Sequence, residues 1–194
     1  MNSLNNPLFV YDDNFLTEEE LQQFEEMYFS QELSWLYYRN TQGDDLSHSG
    51  VIDTGAKDMP SFSCSPDPIK DHKAYLLTVN MIKKFTDKHN ISYKDVVRIK
   101  FNATPCSPIE KTIYPHVDTH DPHYVFLYYV NDSDGDTFLY NETKSDIKLT
   151  EATIMKRITP KRGSAFIIDG AHYHSLSPPT KNHLRFVVNA NLGL

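Results

Sequence analysis

Val96-Val97-Arg98-Ile99-Lys100-Phe101-Asn102-Ala103 is where the pattern of the chain changes. Val97, Ile99 and Phe101 alternate with Arg98, Lys100 and Asn102, the period of two that a strand with one buried face requires. From there to the C-terminus the chain divides into short strand-like runs at about 96–103, 111–116, 123–131, 136–141, 151–158, 164–169, 171–177 and 183–192. Turn signals part most of them: Thr104-Pro105, Asp121-Pro122, Asp134-Gly135, Pro160 to Gly163, Asp169-Gly170 and Pro178-Pro179. Short strands with turns at this spacing predict a β-sandwich or jelly-roll barrel.

Upstream the period is helical. Leu8 to Tyr11 reads as a short strand. Thr17, with Glu20 three residues on, is a capping box that opens a first helix, and Leu16 and Leu21 can staple it. Leu21, Phe24 and Tyr28 form its apolar stripe. Residues 33–40 are aromatic and extended, with Trp35 placed in the core or its support. Asp67-Pro68 is read as the N-cap and first position of a second helix, with Leu76, Val79, Ile82 and Phe85 as its buried stripe. Asn90 supplies its stop, and Lys83, Lys84 and Lys88 are read as a solvated face. Residues 41–66, rich in Gly, Pro, Ser and Asp, are read as loop and as a candidate lid. The expected architecture is mainly β with N-terminal helices: one domain over 1–194, in which 1–95 is helical support and loop and 96–194 is a jelly-roll core.

With 194 residues, 39% of them hydrophobic, the chain can bury a full core. Its formal net charge of −7 disfavours a general nucleic-acid binder. The cysteines, Cys64 and Cys106, have neither metal-type spacing nor a partner pattern that predicts a disulfide. The N-terminus has no basic region followed by an apolar run, and no stretch reaches membrane-spanning length, so a cytoplasmic protein is expected.

The chemistry concentrates in Tyr114-Pro115-His116-Val117-Asp118. On an extended segment residues i and i+2 share a face, so His116 and Asp118 project together. A second imidazole can come from Ala171-His172-Tyr173-His174-Ser175, where His172 and His174 also share a face. Of the nine histidines, His116, His120, His123, His172, His174 and His183 all fall in this half. Two histidines and one carboxylate on one side of a metal, with open positions opposite, suit ferrous iron and oxygen chemistry. Arg185, on the following run, can place a guanidinium that grips a carboxylate through paired hydrogen bonds.

These pieces, in this order, resemble the Fe(II)/2-oxoglutarate-dependent dioxygenases, and within them the prolyl 4-hydroxylase-like branch. His116-Val-Asp118 resembles the family's His-x-Asp pair. Val125 to Asp132 resembles its strand ending in Tyr-Leu-Asn, and Asp134-Gly135-Asp136-Thr137-Phe138 its Gly-Gly turn and strand. Ile158 to Phe166 resembles its Pro-x-x-Gly-x-x-Phe segment, and His174 through Arg185 its distal histidine and basic residue. Asp134 departs from the pattern by replacing the first glycine. Arg185 departs from the lysine of the collagen-type enzymes.

The resemblance implies that His116, Asp118 and His174 hold Fe(II), with His172 as the rival distal ligand. It implies that Arg185 pairs with the distal carboxylate of 2-oxoglutarate and that Tyr128 joins it there. It implies ascorbate as an accessory, and hydroxylation of a C–H bond coupled to conversion of 2-oxoglutarate and O2 to succinate and CO2. A protein or peptide residue such as proline is the expected substrate. The alternatives are a small-molecule or nucleobase oxygenase, or a non-enzymatic cupin-like metal-binding module.

Overall fold

The computed structural model describes residues 9–39, 59–108, 112–145 and 152–194. Ten strands and two helices follow one another as β1 (Phe9–Asp12), α1 (Glu18–Tyr28), β2 (Leu36–Tyr38), β3 (Ser61–Cys64), α2 (His72–His89), β4 (Val96–Pro105), β5 (His123–Tyr129), β6 (Thr137–Thr143), β7 (Ile154–Ile158), β8 (Ala165–Asp169), β9 (His172–Leu176) and β10 (Leu184–Gly193). A seven-stranded sheet runs β1-β8-β5-β10-β4-β3-β2, and a three-stranded sheet runs β7-β6-β9. All the strand pairs are antiparallel. The result is the expected jelly roll with two helices.

Strand parity creates three layers. On β5, Phe126 and Tyr128 face the helices and join Phe24, Tyr28, Met81, Ile82 and Phe85 in the larger core. Val125, Leu127 and Tyr129 face the small sheet and pack with Leu139, Ile158, Phe166 and Val187. The large sheet is therefore apolar on both faces at its centre, which explains the near-continuous hydrophobic reading of β5 and β8.

The first helix is capped as its sequence dictates. Glu20 N–H donates to Thr17 Oγ1 at 3.3 Å, and the Thr17 amide donates to Glu20 Oε2 at 2.7 Å. Asn90 ends α2 in the left-handed region with φ 54°. The start of α2 differs from expectation. The Asp67 carboxylate accepts from the Ile69 and Lys70 amides and closes a turn, and the helix begins at His72. Its buried face is Ala74, Thr78, Met81, Ile82, Phe85 and Thr86, while Leu76 is largely exposed. The face that meets the core passes through Ala74, Thr78 and Met81, which leaves Leu76 outside it. The lysines are not merely solvated: Lys84 pairs with Glu20 and Lys88 with Asp12, tying α2 to α1 and β1. Trp35 packs edge-on to Phe186 at 4.9 Å, a supporting role.

Two further sequence readings change. The first half of the chain gives β1, β2 and β3 to the large sheet as well as its helices. The run expected as a strand at 111–116 makes one isolated bridge, His116 to His174, with residue 111 outside the described residues. The candidate lid and His48 fall largely in 40–58, also outside them; its end, 61–64, is strand β3. Both cysteines are free, Cys64 buried and Cys106 exposed.

Candidate metal centre

His116 and His174 are direct cross-strand partners. The amide of each donates to the carbonyl of the other at 2.9 Å, the arrangement that sets opposed side chains on one face of an antiparallel pair. Their rings lie 4.5 Å apart between centroids. Asp118, two residues on, shares that face. One ligand atom from each of His116, Asp118 and His174 lies within 4.8 Å of the others, and Asp118 Oδ1 is 3.9 Å from Nε2 of both histidines.

The donor set fits a divalent metal. His116 Nδ1 lies 3.2 Å from the Tyr114 carbonyl; a proton there leaves the Nε2 lone pair for a metal. His174 Nε2 is buried and, among the described residues, has no hydrogen-bond partner. Burial, and then the neighbouring His174, push the His116 imidazole down to about 3. Burial also lowers His174, against the opposing pull of Asp118. Both rings are thus held neutral, the form that ligates. Burial works against the charge of Asp118, but His174, Arg98 and His116 outweigh it and hold the carboxyl well below the usual carboxylate range. Two neighbours orient that carboxylate: Arg98 Nη2 at 2.8 Å from Oδ1, and Asn189 Nδ2, which donates to Oδ2 at 3.1 Å.

The rival, His172, is not in this group. Its Nδ1 lies 2.9 Å from the Tyr140 carbonyl, and its register partner is Thr143, not His116.

The three ligands open on a cavity of about 230 Å3. Its far end holds Arg185, whose side chain is among the largest fully buried in the fold. Arg185 Nε donates to the Gly135 carbonyl at 2.9 Å and Nη2 to Thr137 Oγ1 at 2.6 Å. Nη1 is buried and has no hydrogen-bond partner among the described residues. A buried guanidinium without a carboxylate is costly, and an arriving anion relieves that cost. Gly135 lets the turn that supplies the carbonyl to Arg185 pack against residues 177–179: a Cβ there would stand 2.7 Å from the Ser177 carbonyl oxygen and 2.8 Å from the Pro179 nitrogen.

Tyr128 is a correction. Its ring sits 6.3 Å from Phe15 and 6.0 Å from Phe24, in the helix-facing core, and it does not line the cavity. On the opposite face of β5, Tyr129 packs in the smaller core beside Thr137 and Arg185. Tyr129 Oη donates to Thr137 Oγ1 at 2.7 Å, and the Arg185 guanidinium lies 5.7 Å from the Tyr129 ring. Burial, opposed by Arg185, pushes the Tyr129 phenol up to about 12.

Sequence reasoning missed Tyr129, Thr137, Asn189 and Arg98 as site residues. Asn189 left a trace: an amide in the apolar run of β10 with the same parity as Arg185. Arg98, Lys100 and Asn102 were legible only as the polar side of a strand. The structure turns that side toward the cavity rather than toward bulk water.

No protein-family model matches the chain, and no curated protein sequence does. Solved structures match in fold. An oxidoreductase of the 2OG-Fe(II) oxygenase family from Burkholderia pseudomallei aligns with a TM-score of 0.65 at 13% identity, over 95% of this chain and 84% of that one. A prolyl hydroxylase from Trichoplax adhaerens, in complex with a hypoxia inducible factor peptide fragment, aligns at 0.57 and 15% identity, over 95% and 83%. HygX from Streptomyces hygroscopicus, with nickel and 2-oxoglutarate bound, aligns at 0.62 and 10% identity, over 95% and 82%. Identities this low speak for architecture: the chain has the jelly-roll fold of the 2OG-Fe(II) oxygenase family.

Proposed function

We propose that this protein is an Fe(II)- and 2-oxoglutarate-dependent oxygenase that hydroxylates a C–H bond. The observation that carries the reading is a pairing within one cavity: a neutral-His, neutral-His, Asp cluster, and a buried guanidinium with an unsatisfied Nη1. A cupin-like structural metal site has no need of the second feature.

His116, Asp118 and His174 would hold the iron, which supplies the activation of dioxygen and the oxidising power for the C–H bond. Arg185, braced by Gly135 and Thr137, would grip the distal carboxylate of the cosubstrate. Tyr129 braces Thr137 in turn. Ile113, Leu127, Leu176 and Val187 line the same cavity and keep water from the bound cosubstrate. Arg98 and Asn189 fix the orientation of Asp118, so the ligand set is assembled before any metal arrives.

Two substrate classes have support. A peptide residue such as proline is supported by the likeness to the Trichoplax enzyme, whose structure holds a peptide. A small molecule is supported by the polar side chains on one side of the cavity, Ser61, Lys100, Asn102 and Thr104. We favour the small molecule.

The test is Fe(II)-dependent formation of succinate from 2-oxoglutarate, with ascorbate present. The wild type should turn over, and His116→Ala should not. Arg185→Ala should lose about 2–5 kcal/mol of cosubstrate binding, at least about 30-fold in Kd. Near-normal succinate production by His116→Ala would refute the assignment.

A further inference from the structure

The cavity carries more positive charge than a metal and its cosubstrate use. Arg98, Lys100 and Arg185 line it, against one carboxylate, Asp118. Asp118 is already engaged by Arg98 and Asn189. A divalent metal and a dicarboxylate cosubstrate neutralise each other, so filling both leaves the surplus unchanged. That surplus is two charges. Arg98 touches Asp118 and Arg185 would touch the cosubstrate, so Lys100 is the lining cation left with no anionic contact among the described residues.

Lys100 has no Asp or Glu in an ion pair with it among the described residues. Its Nζ lies 5.3 Å from the centre of the Tyr38 ring, and the charges it feels are those of Arg98 and Asp118. Burial, and then Arg98, push its ammonium below the usual lysine range. A half-buried cation beside another cation is a site that gains from an incoming anion.

Strand register fixes where that anion would sit. On the β10–β4 ladder, Asn189 pairs with Lys100, and Arg185 pairs with Thr104. Four residues separate the two cationic positions, about 13 Å at the rise of a strand. Asn189 holds Asp118, so Lys100 stands at the metal end of the cavity and Arg185 at the other. Asn102 lies between them on the same wall, and Ser61 comes from the adjoining β3. The backbone of Lys100 thus stands nearer the metal ligands than that of Arg185, which places the lysine to hold something other than the cosubstrate.

We propose that Lys100 anchors a carboxylate of the substrate that is oxidised, and that this substrate is a small carboxylic acid rather than a neutral stretch of peptide. The inference rests on the oxygenase reading for the place of the cosubstrate.

The test uses the whole 194-residue chain loaded with Ni(II). Calorimetry first measures 2-oxoglutarate binding to wild type, Lys100→Met and Lys100→Arg. The three should agree within about twofold. The 2-oxoglutarate complex is then titrated with N-acetyl amino acids and with their primary amides. The acids should bind about tenfold or more tightly than the amides. Lys100→Met should erase that preference and Lys100→Arg should keep it. Equal binding of acid and amide, no binding of either, or a preference that survives Lys100→Met overturns the proposal. A matching loss of 2-oxoglutarate affinity in Lys100→Met overturns it too, by assigning the lysine to the cosubstrate. Failure of the wild type to bind 2-oxoglutarate sinks the oxygenase reading itself. Intact cosubstrate binding with no acid preference sinks this proposal alone.

Discussion

His116 and His174 are joined by a reciprocal pair of backbone hydrogen bonds, each 2.9 Å. The register of one isolated bridge therefore sets the geometry of the metal centre. A slip of one residue would turn one imidazole to the opposite face. This makes His174 and His172 separable. His174→Ala should abolish tight metal binding and succinate formation. His172→Ala should keep both, with at most a stability loss from its contact to the Tyr140 carbonyl. In the wild type, a metal at 100 times its Kd should add about 2.7 kcal/mol of stability, and removal by a chelator should reverse it. Thermal melts with and without metal check this, and a silent His174→Ala would be decisive against the ligand set.

Tyr128 and Tyr129 point to opposite sides of β5, so their hydroxyls should behave oppositely. Tyr128 Oη is buried without a hydrogen-bond partner among the described residues, and Tyr128→Phe should be neutral or slightly stabilising, with cosubstrate KM unchanged. Tyr129→Phe removes a brace on Thr137 and should raise the KM for 2-oxoglutarate. It should also cost about 1 kcal/mol of stability. Steady-state kinetics and denaturant titration on the two variants separate these outcomes.

Arg98 bonds the same oxygen of Asp118 that faces both histidines. It is a positioning residue for the metal ligand. Arg98→Ala should weaken metal affinity about 10–100-fold, and Arg98→Lys should recover part of the loss. Competition with a metal-sensitive dye reads this without any turnover. Affinity equal to wild type in Arg98→Ala would show that Asn189 alone orients the carboxylate.

Asp134, which takes the place of a family glycine, works as a clasp. Its carboxylate accepts from the amides of Thr180, Lys181 and Asn182 and from the Thr180 hydroxyl. Burial opposes its ionisation, but the Thr180 hydroxyl and those amides hold its carboxyl well below the usual range. Because the folded value is the lower one, this stabilisation is complete above the unfolded value, about 3.9. It is lost as pH falls below that toward the folded value. Asp134→Ala should lose about 1–2 kcal/mol at pH 7, or about 2–8 °C in Tm. The gap to wild type should narrow in melts taken at progressively lower pH below 4. A constant gap would mean that the clasp does not depend on the charge.

Local pattern made several elements legible. The capping box at Thr17 and Glu20 and the stop at Asn90 depend on neighbours in sequence, and both form as read. So do the period of two from Val96 onward and the shared face of His116 and Asp118. The opening of α2 failed because Asp67 could cap either a turn or a helix; it closes a turn with Ile69 and Lys70, and its own amide donates to the Asp71 carboxylate just before the helix begins. Tyr128 failed because adjacent tyrosines give no signal of which one faces the helices and which one stands beside Arg185.

The sequence by itself determined the strand periodicity, the helix caps and the residue types that can hold a metal and a carboxylate, since these are properties of short segments. Which histidine meets His116, which tyrosine stands by Arg185, and whether Arg98 and Lys100 face water or a cavity were decided only by the tertiary structure. Those outcomes follow from pairing between distant strands. There a register of one residue exchanges the two faces, and nothing within either strand records which partner it will meet.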